Sequence, residues 1–174
     1  MRRCVMVVAA TALALGTPAA ADSRKAIASN GIEISFEGED GFSPARTVAA
    51  PFIRTSDGGY VFAYRKPVNG DAPYYLIQGL VSYNGEWRFF DRAYYQGGVP
   101  ARFDSLDRDV GHCSRYGGCS HSESYQVAIS SVELAQHTRD GNLAVKIDAK
   151  GAEGFVIVIP KAYIDAVKEA GAGL

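Results

Sequence analysis

The chain has 174 residues and is close to neutral, with 18 Lys and Arg residues against 19 Asp and Glu residues. A nucleic-acid partner or an anionic membrane surface requires a basic field, so this charge balance argues against both. Hydrophobic residues make up 47% of the sequence, which is enough for one domain to bury a core.

The start of the chain has the features of a cleaved signal peptide. Two arginines follow the initial Met, an apolar run covers residues 4–15, and three consecutive alanines end at Ala21. This run is shorter than the ~20 apolar residues of a spanning helix, and no later run is longer, so we expect no integral membrane span. We therefore predict a signal peptide at 1–21 and a single β-rich exported domain at 22–174, periplasmic or secreted.

The next part of the chain predicts strands separated by short turns. Apolar and polar residues alternate over 32–37, which is typical of a half-buried strand. The sequence at 39–41, Glu-Asp-Gly, predicts a turn. Residues 47–54 and 60–65 then predict a hairpin that is joined through 56–59, Ser-Asp-Gly-Gly.

The strongest local signal is the dipeptide Asn84-Gly85 between two aromatic-rich runs, 74–83 and 86–95. Both residues accept the positive φ of a type I′ turn, so the pattern predicts a tight hairpin. In that register Gly79 lies under the ring of Phe90, and one face carries the side chains assigned to the core: Leu76, Leu80, Trp87 and Phe89. The opposite face either packs against another element or binds a partner through aromatic and cationic residues: Tyr75, Tyr83, Arg88, Phe90, Arg92 and Tyr94.

The second half predicts a loop-rich segment followed by strands and two helices. The loop-rich segment covers 97–122 and includes a candidate strand at 101–106. Ser130–Glu133 fits a capping box at the start of a short helix. Strands are predicted at 143–149 and 155–159. The second of these has consecutive Val and Ile, which favours a central strand covered on both faces. A terminal helix is predicted over 162–170.

These elements together predict a mainly β fold. Antiparallel hairpins at regular spacing favour a β-sandwich-like body with a short internal helix and a C-terminal helix. A small β-barrel is the alternative.

Two cysteines remain after the predicted cleavage, Cys113 and Cys119. An isolated pair in an exported chain usually forms a disulfide, and the C-x5-C spacing does not match zinc knuckles. A metal site and a redox-active dithiol are the weaker alternatives. We therefore expect no metal and no cofactor, and a disulfide that fixes one loop and contributes about 2.4 kcal/mol through chain entropy.

Two histidines flank the predicted ring, His112 and His121, and Glu123 follows closely. If the ring brings these side chains together, they provide groups for general acid–base catalysis. The alternative is a pair of exposed loop histidines. The sequence contains no Gly-x-Ser-x-Gly motif and no diagnostic Ser/His/Asp spacing that marks a nucleophile.

The segment Trp87–Ala93 has the pattern W-x-F-F-x-x-A, and a Gly-Cys loop precedes a strand further on. In these features, spread over residues 60–170, the chain resembles a loose group of small exported bacterial proteins. The resemblance implies export and a shared architecture but supplies no activity.

The sequence therefore favours a non-catalytic exported module that recognises a protein or a glycan, such as an inhibitor or an envelope-assembly factor. Recognition is expected through the Tyr/Arg face of the central hairpin or through the loop closed by the two cysteines. Two alternatives stay open. One is a small hydrolase that uses His112, His121 and Glu123, and the other is a purely structural envelope component.

Overall fold

The computed structural model describes residues 24–39, 42–114 and 118–174. The predicted signal peptide and the centre of the predicted turn, Asp40-Gly41, lie outside these residues. The described part of the chain forms twelve strands and two helices: β1 (Arg24–Ile27), β2 (Glu33–Glu37), β3 (Ala45–Ala49), β4 (Ile53–Thr55), β5 (Gly58–Pro67), β6 (Tyr74–Asn84), β7 (Phe90–Tyr95), β8 (Pro100–Ser114), β9 (Gly118–Ile129), α1 (Ser131–His137), β10 (Thr138–Arg139), β11 (Asn142–Ala149), β12 (Phe155–Ile159) and α2 (Lys161–Gly171).

Antiparallel pairing joins the strands into one open sheet that folds into two layers. The first layer has the order β1-β2-β3-β5-β6-β9-β8, with β4 also beside β5, and the second layer contains β7, β10, β11 and β12. β8 belongs to both layers, because Pro100 and Ala101 pair with β7 and its later residues pair with β9. Among the described strands, β1 and β12 each pair with one neighbour and leave the sheet open. The sandwich-like prediction is confirmed.

One apolar core lies between the two layers and includes residues from both. The Tyr60 hydroxyl of β5 donates a hydrogen bond of 3.0 Å to the Val158 carbonyl of β12, so these strands face each other across the core. α2 contributes Ile164, Ala166 and Val167 to the same core. Each large side chain that is buried in this way stabilises the fold by roughly 1.5–3 kcal/mol.

Several of the short-range predictions are confirmed. The Ser130 Oγ accepts a hydrogen bond from the Glu133 N–H at 3.2 Å, and the Glu133 carboxylate accepts one from the Ser130 N–H at 2.8 Å. This capping box fixes the start of α1. The β11–β12 hairpin and the terminal helix also form where the sequence predicts them. The hairpin that is joined through 56–59 forms as well, but its first strand is divided into β3 and β4, which both pair with β5.

The predicted hairpin at Asn84-Gly85 is wrong. β6 pairs with β5 on one side and with β9 on the other, so no position beside it is left for β7. Gly85 has a φ of 108°, but Asn84 has no positive φ, and a type I′ turn requires positive φ at both central residues. The chain instead crosses to the second layer, where β7 pairs with β11 and β8.

The two faces of β6 are also reversed relative to the prediction. Tyr75 and Tyr83 point into the core and are buried, whereas Leu80 and Phe89, which were assigned to the core, are exposed. An alternating pattern fits either face equally well, so the choice depends on the neighbouring strands. Gly79 is covered by a ring, as predicted, but the ring belongs to Tyr125 of β9 and not to Phe90.

Two further predictions are corrected by the strand pairing. Residues 97–122 do not form a loop-rich segment, because most of them build the long β8–β9 hairpin, which we call the arm. β12 is not a central strand, because among the described strands it pairs only with β11, and Val156 and Val158 are 61% and 47% exposed. Both errors concern pairing partners, which local composition does not specify.

Replacement of Gly79 by alanine should destabilise the fold by about 1–3 kcal/mol, since this is the usual cost of overpacking a core. An added Cβ would overlap the ring and hydroxyl of Tyr125, which is 1% exposed and has no room to move. Urea unfolding measures the change. Gly173→Ala is the matched control and should stay within about 0.5 kcal/mol, because its Cβ makes only an ordinary contact. Equal stability of the two variants would contradict the assigned packing.

Candidate functional site

The six residues predicted to bind a partner do not share one surface. Arg92 and Tyr94 lie in β7 on the outer side of the second layer, and Arg88 lies before β7 in the connection from β6. The other three are core side chains: Tyr75, Tyr83 and Phe90. The predicted face is therefore divided between the core and two separate surface regions.

The exposed members of this set lie beside different clefts. Arg88 lines a cleft of about 480 Å³ between the β4–β5 and β11–β12 turns, where its guanidinium lies 3.5 Å from the Asp57 carboxylate. Tyr94 lines another cleft, of about 550 Å³, together with Lys146 and Val156. No described cleft contains both Arg88 and Tyr94.

Glu123 of β9 is a buried carboxylate that is only 1% exposed. Its Oε1 accepts a very short hydrogen bond from the Tyr83 hydroxyl and one of 3.0 Å from the Phe89 N–H. Its Oε2 accepts hydrogen bonds from the Phe90 N–H at 3.1 Å and from the Arg108 Nε at 2.9 Å. An ionised carboxylate has about four acceptor sites, so these donors occupy all of them. We call Glu123 and its four donors the Glu123 cluster.

The hydrogen bonds keep Glu123 ionised. Burial by itself raises the pKa of this carboxyl, but the bonds from Tyr83, Arg108 and the two backbone N–H groups together outweigh burial and lower the pKa below its ordinary value. A general base needs a free lone pair and a pKa near the working pH. The geometry therefore favours a structural role for Glu123.

The Glu123 cluster fixes the connector, residues 85–89, in which the chain leaves the first layer. Phe89 adopts a left-handed φ of 55°, which is uncommon for a residue other than glycine. The Arg88 N–H donates to the Tyr83 hydroxyl at 3.0 Å, and the Arg88 guanidinium lies 4.2 Å from the centre of the Tyr83 ring. The cluster thus holds both ends of the crossing between the layers.

The structure brings together two of the three predicted catalytic residues. His121 lies on the same face of β9 as Glu123, and its ring packs 4.2 Å from that of Trp87 and 5.9 Å from that of Tyr83. The His121 Nδ1 is buried and finds no hydrogen-bond partner among the described residues. His112 lies in an irregular part of β8 and is exposed on the arm. In the described part of the chain, no cluster of three or more His, Cys, Asp or Glu residues is suited to a metal ion.

The predicted disulfide is confirmed between Cys113 and Cys119, which lie directly opposite each other near the tip of the arm. The bond therefore joins β8 to β9 locally and does not cross-link distant parts of the fold.

Sequence reasoning missed a cleft of about 530 Å³ on the outer face of the first layer, which we call the outer cleft. Its floor is a row of side chains that lie side by side on four neighbouring strands: Ser35, Ala49, Ala63 and Leu76. The last three form a small buried apolar cluster that is separate from the main core. Because Ser35, Ala49 and Ala63 have short side chains, the sheet surface is recessed along this row.

The walls of the outer cleft carry longer and mostly polar side chains. Along one side the register places Glu37, Thr47 and Arg65 next to one another. Along the other side lie Glu33, Val61, Gln78 and the exposed ring of Phe52. Phe52 rests on the bare backbone of Gly59, where any Cβ would overlap the ring. The alternation of side chains along β3 and β5 indicates that Ala49 and Ala63 face outward. Only the strand register shows that these two residues lie next to each other.

Comparison with known proteins finds no matching family, no matching curated protein and no matching solved structure. The resemblance to small exported proteins therefore stays a prediction. Within residues 24–39, 42–114 and 118–174, no helix has the length and hydropathy to cross a membrane.

Replacement of Glu123 by alanine should destabilise the fold by about 1–3 kcal/mol or more, because it leaves the Tyr83 hydroxyl and the backbone N–H groups of Phe89 and Phe90 without an acceptor. The milder Glu123→Gln variant should also unfold at a lower urea concentration, since its amide NH2 faces N–H donors. Because the pKa of Glu123 is lowered in the folded state, its stabilisation is complete above the pKa of an unfolded glutamate, about 4.3, and is lost as the pH falls below it.

The difference in unfolding free energy between wild type and Glu123→Gln should accordingly shrink between pH 7 and pH 3. Glu86→Gln is the matched control, because Glu86 is exposed, and should change stability by less than about 0.5 kcal/mol. A difference that stays constant over this pH range would contradict the role assigned to the carboxylate.

Proposed function

We propose that this chain is an exported, non-catalytic binding module, periplasmic or secreted, which recognises a protein or a glycan through the outer face of its first layer. The observation that carries the proposal is the outer cleft on a face that no other described element covers. The buried residues of α2 join the core between the layers, and Gly171 packs against Tyr64 on the inner face. The cleft volume of about 530 Å³ falls within the range of ligand sites, about 300–1,000 Å³.

Among the described residues, Glu123 and the two histidines do not form a free acid–base pair, which supports binding over hydrolysis. All acceptor sites of Glu123 are occupied, and His112 is exposed whereas His121 and Glu123 are buried. The outer cleft lies on the opposite face of the sheet from these two residues.

The disulfide supports export, since such bonds persist in oxidising compartments. The arm is a weaker candidate for recognition by strand addition. Its outer strand has two irregularities and carries Asp104, Asp107 and Asp109, and such features protect natural sheet edges from pairing with other chains.

Export predicts a defined chemical state for the protein isolated from the producing cells. The mature chain should begin at Asp22, and neither Cys113 nor Cys119 should react with a thiol reagent in the denatured protein. Both should react after reduction, which is the positive control. Intact-mass and N-terminal analysis measure both properties. An uncleaved cytosolic chain in which Cys113 and Cys119 both react without prior reduction would overturn the export part of the proposal.

Binding through the outer cleft predicts that a bulky charge inside it abolishes retention on an envelope fraction of the producing cells. Val61→Arg places a long side chain in the cleft, and retention should fall by about tenfold or more. Ser122→Arg is the matched control on the same outer face, outside the cleft, and should be retained like wild type. Thermal melting verifies that both variants are folded. Absent retention of wild type, or equal retention of both variants, would refute the proposal.

A further inference from the structure

The outer cleft has the shape of a groove that runs across the strands. Its floor extends from β2 to β6 over three strand spacings, which corresponds to roughly 14 Å. A ligand that fills the groove is therefore elongated, and it lies at right angles to the strands.

The polar side chains of the groove have unused hydrogen-bonding capacity. Within the part of the chain that the structure describes, Glu37, Arg65 and Gln78 make no side-chain hydrogen bond and no ion pair. Each of these groups is planar and presents two neighbouring donors or acceptors. Such groups match pairs of adjacent hydroxyls on a ligand, while the apolar floor and the Phe52 ring match apolar C–H surfaces.

The charges of the groove cancel. Lys25 and Arg65 are cationic, Glu33 and Glu37 are anionic, and the Lys25 ammonium already pairs with Glu33 at 2.8 Å. A groove of either sign would attract an oppositely charged polymer. This balanced groove favours an uncharged ligand.

An extended peptide fits this location less well than a glycan. Peptides that bind sheets as strands pair with a free strand edge, which satisfies their backbone N–H and C=O groups. The groove crosses the middle of a sheet whose strands are already paired on both sides. The hydroxyls of a sugar need only side-chain partners, and these are present.

We propose, on the basis of the proposed function, that the outer cleft binds a neutral linear oligosaccharide. The chain of sugars lies across β2, β3, β5 and β6 on the floor formed by Ala49, Ala63 and Leu76. The Phe52 ring packs against an apolar sugar face, and the planar side chains of the walls bind hydroxyls.

The test uses the envelope fraction after two separate treatments. Protease digestion removes protein ligands, and periodate oxidation cleaves the adjacent hydroxyls of glycans. Retention of the wild-type chain should survive protease and be lost after periodate. It should also persist in about 1 M salt, where the Debye length is about 3 Å, because a neutral ligand is not screened. Retention that is lost after protease and survives periodate would overturn the proposal.

Single substitutions then test the assigned groove. Phe52→Ala and Gln78→Ala should each weaken retention on protease-treated envelope by about tenfold. Leu106→Ala is the matched control, because Leu106 is a similarly exposed apolar residue on the arm, and it should change retention by less than about twofold. Unchanged retention of both groove variants would contradict the assignment of the outer cleft as the ligand site.

The outcomes separate this inference from the proposed function. If the wild-type chain is not retained at all, the proposed function fails. If retention is lost in Val61→Arg and is destroyed by protease but not by periodate, the module stands and its ligand is a protein.

Discussion

The ionised carboxylate of Glu123 is the interaction on which the arrangement of the two layers depends. It accepts two backbone N–H groups at Phe89 and Phe90, where the chain leaves the first layer, and two side chains from the layer itself. A buried donor without a partner costs about 1–3 kcal/mol, so the Tyr83 hydroxyl and the Phe90 N–H in particular depend on this acceptor. The left-handed backbone of Phe89, which costs of order 1–3 kcal/mol, persists only because this cluster holds it.

The route of the chain follows from this constraint. Because the connector is held at β9, β7 enters the second layer and β9 occupies the position beside β6. β6 thereby becomes a central strand with buried Tyr75 and Tyr83 on its inner face. Its outer face aligns Leu76 with Ala63 and completes the floor of the outer cleft. A cluster in the core thus determines the shape of a surface on the other side of the sheet.

The sequence predicts those parts of the fold whose causes lie within a few residues. The capping box at Ser130 and Glu133 and the β11–β12 hairpin need only local contacts, and both form as predicted. The Asn84-Gly85 hairpin does not form. Glu123, which lies far along the chain, accepts hydrogen bonds from the backbone N–H groups of Phe89 and Phe90, and no local sequence pattern indicates these bonds. Sequence reasoning singled out Glu123 and His121 from their position beside the cysteines, but it could not identify Tyr83 and Arg108 as donors.

The candidate binding site is even harder to predict from the sequence, because it depends entirely on contacts between distant residues. Each member of the floor is an ordinary residue in an ordinary strand, and the groove exists only through the registers of four strands. Polar groups in the Glu123 cluster are saturated by partners within the chain, whereas Glu37, Arg65 and Gln78 have none among the described residues. Saturated buried groups hold a fold together, and polar groups that line a cleft without partners are available to a ligand. The richest chemical cluster of the chain is therefore structural, and the plainer surface is the one suited to recognition.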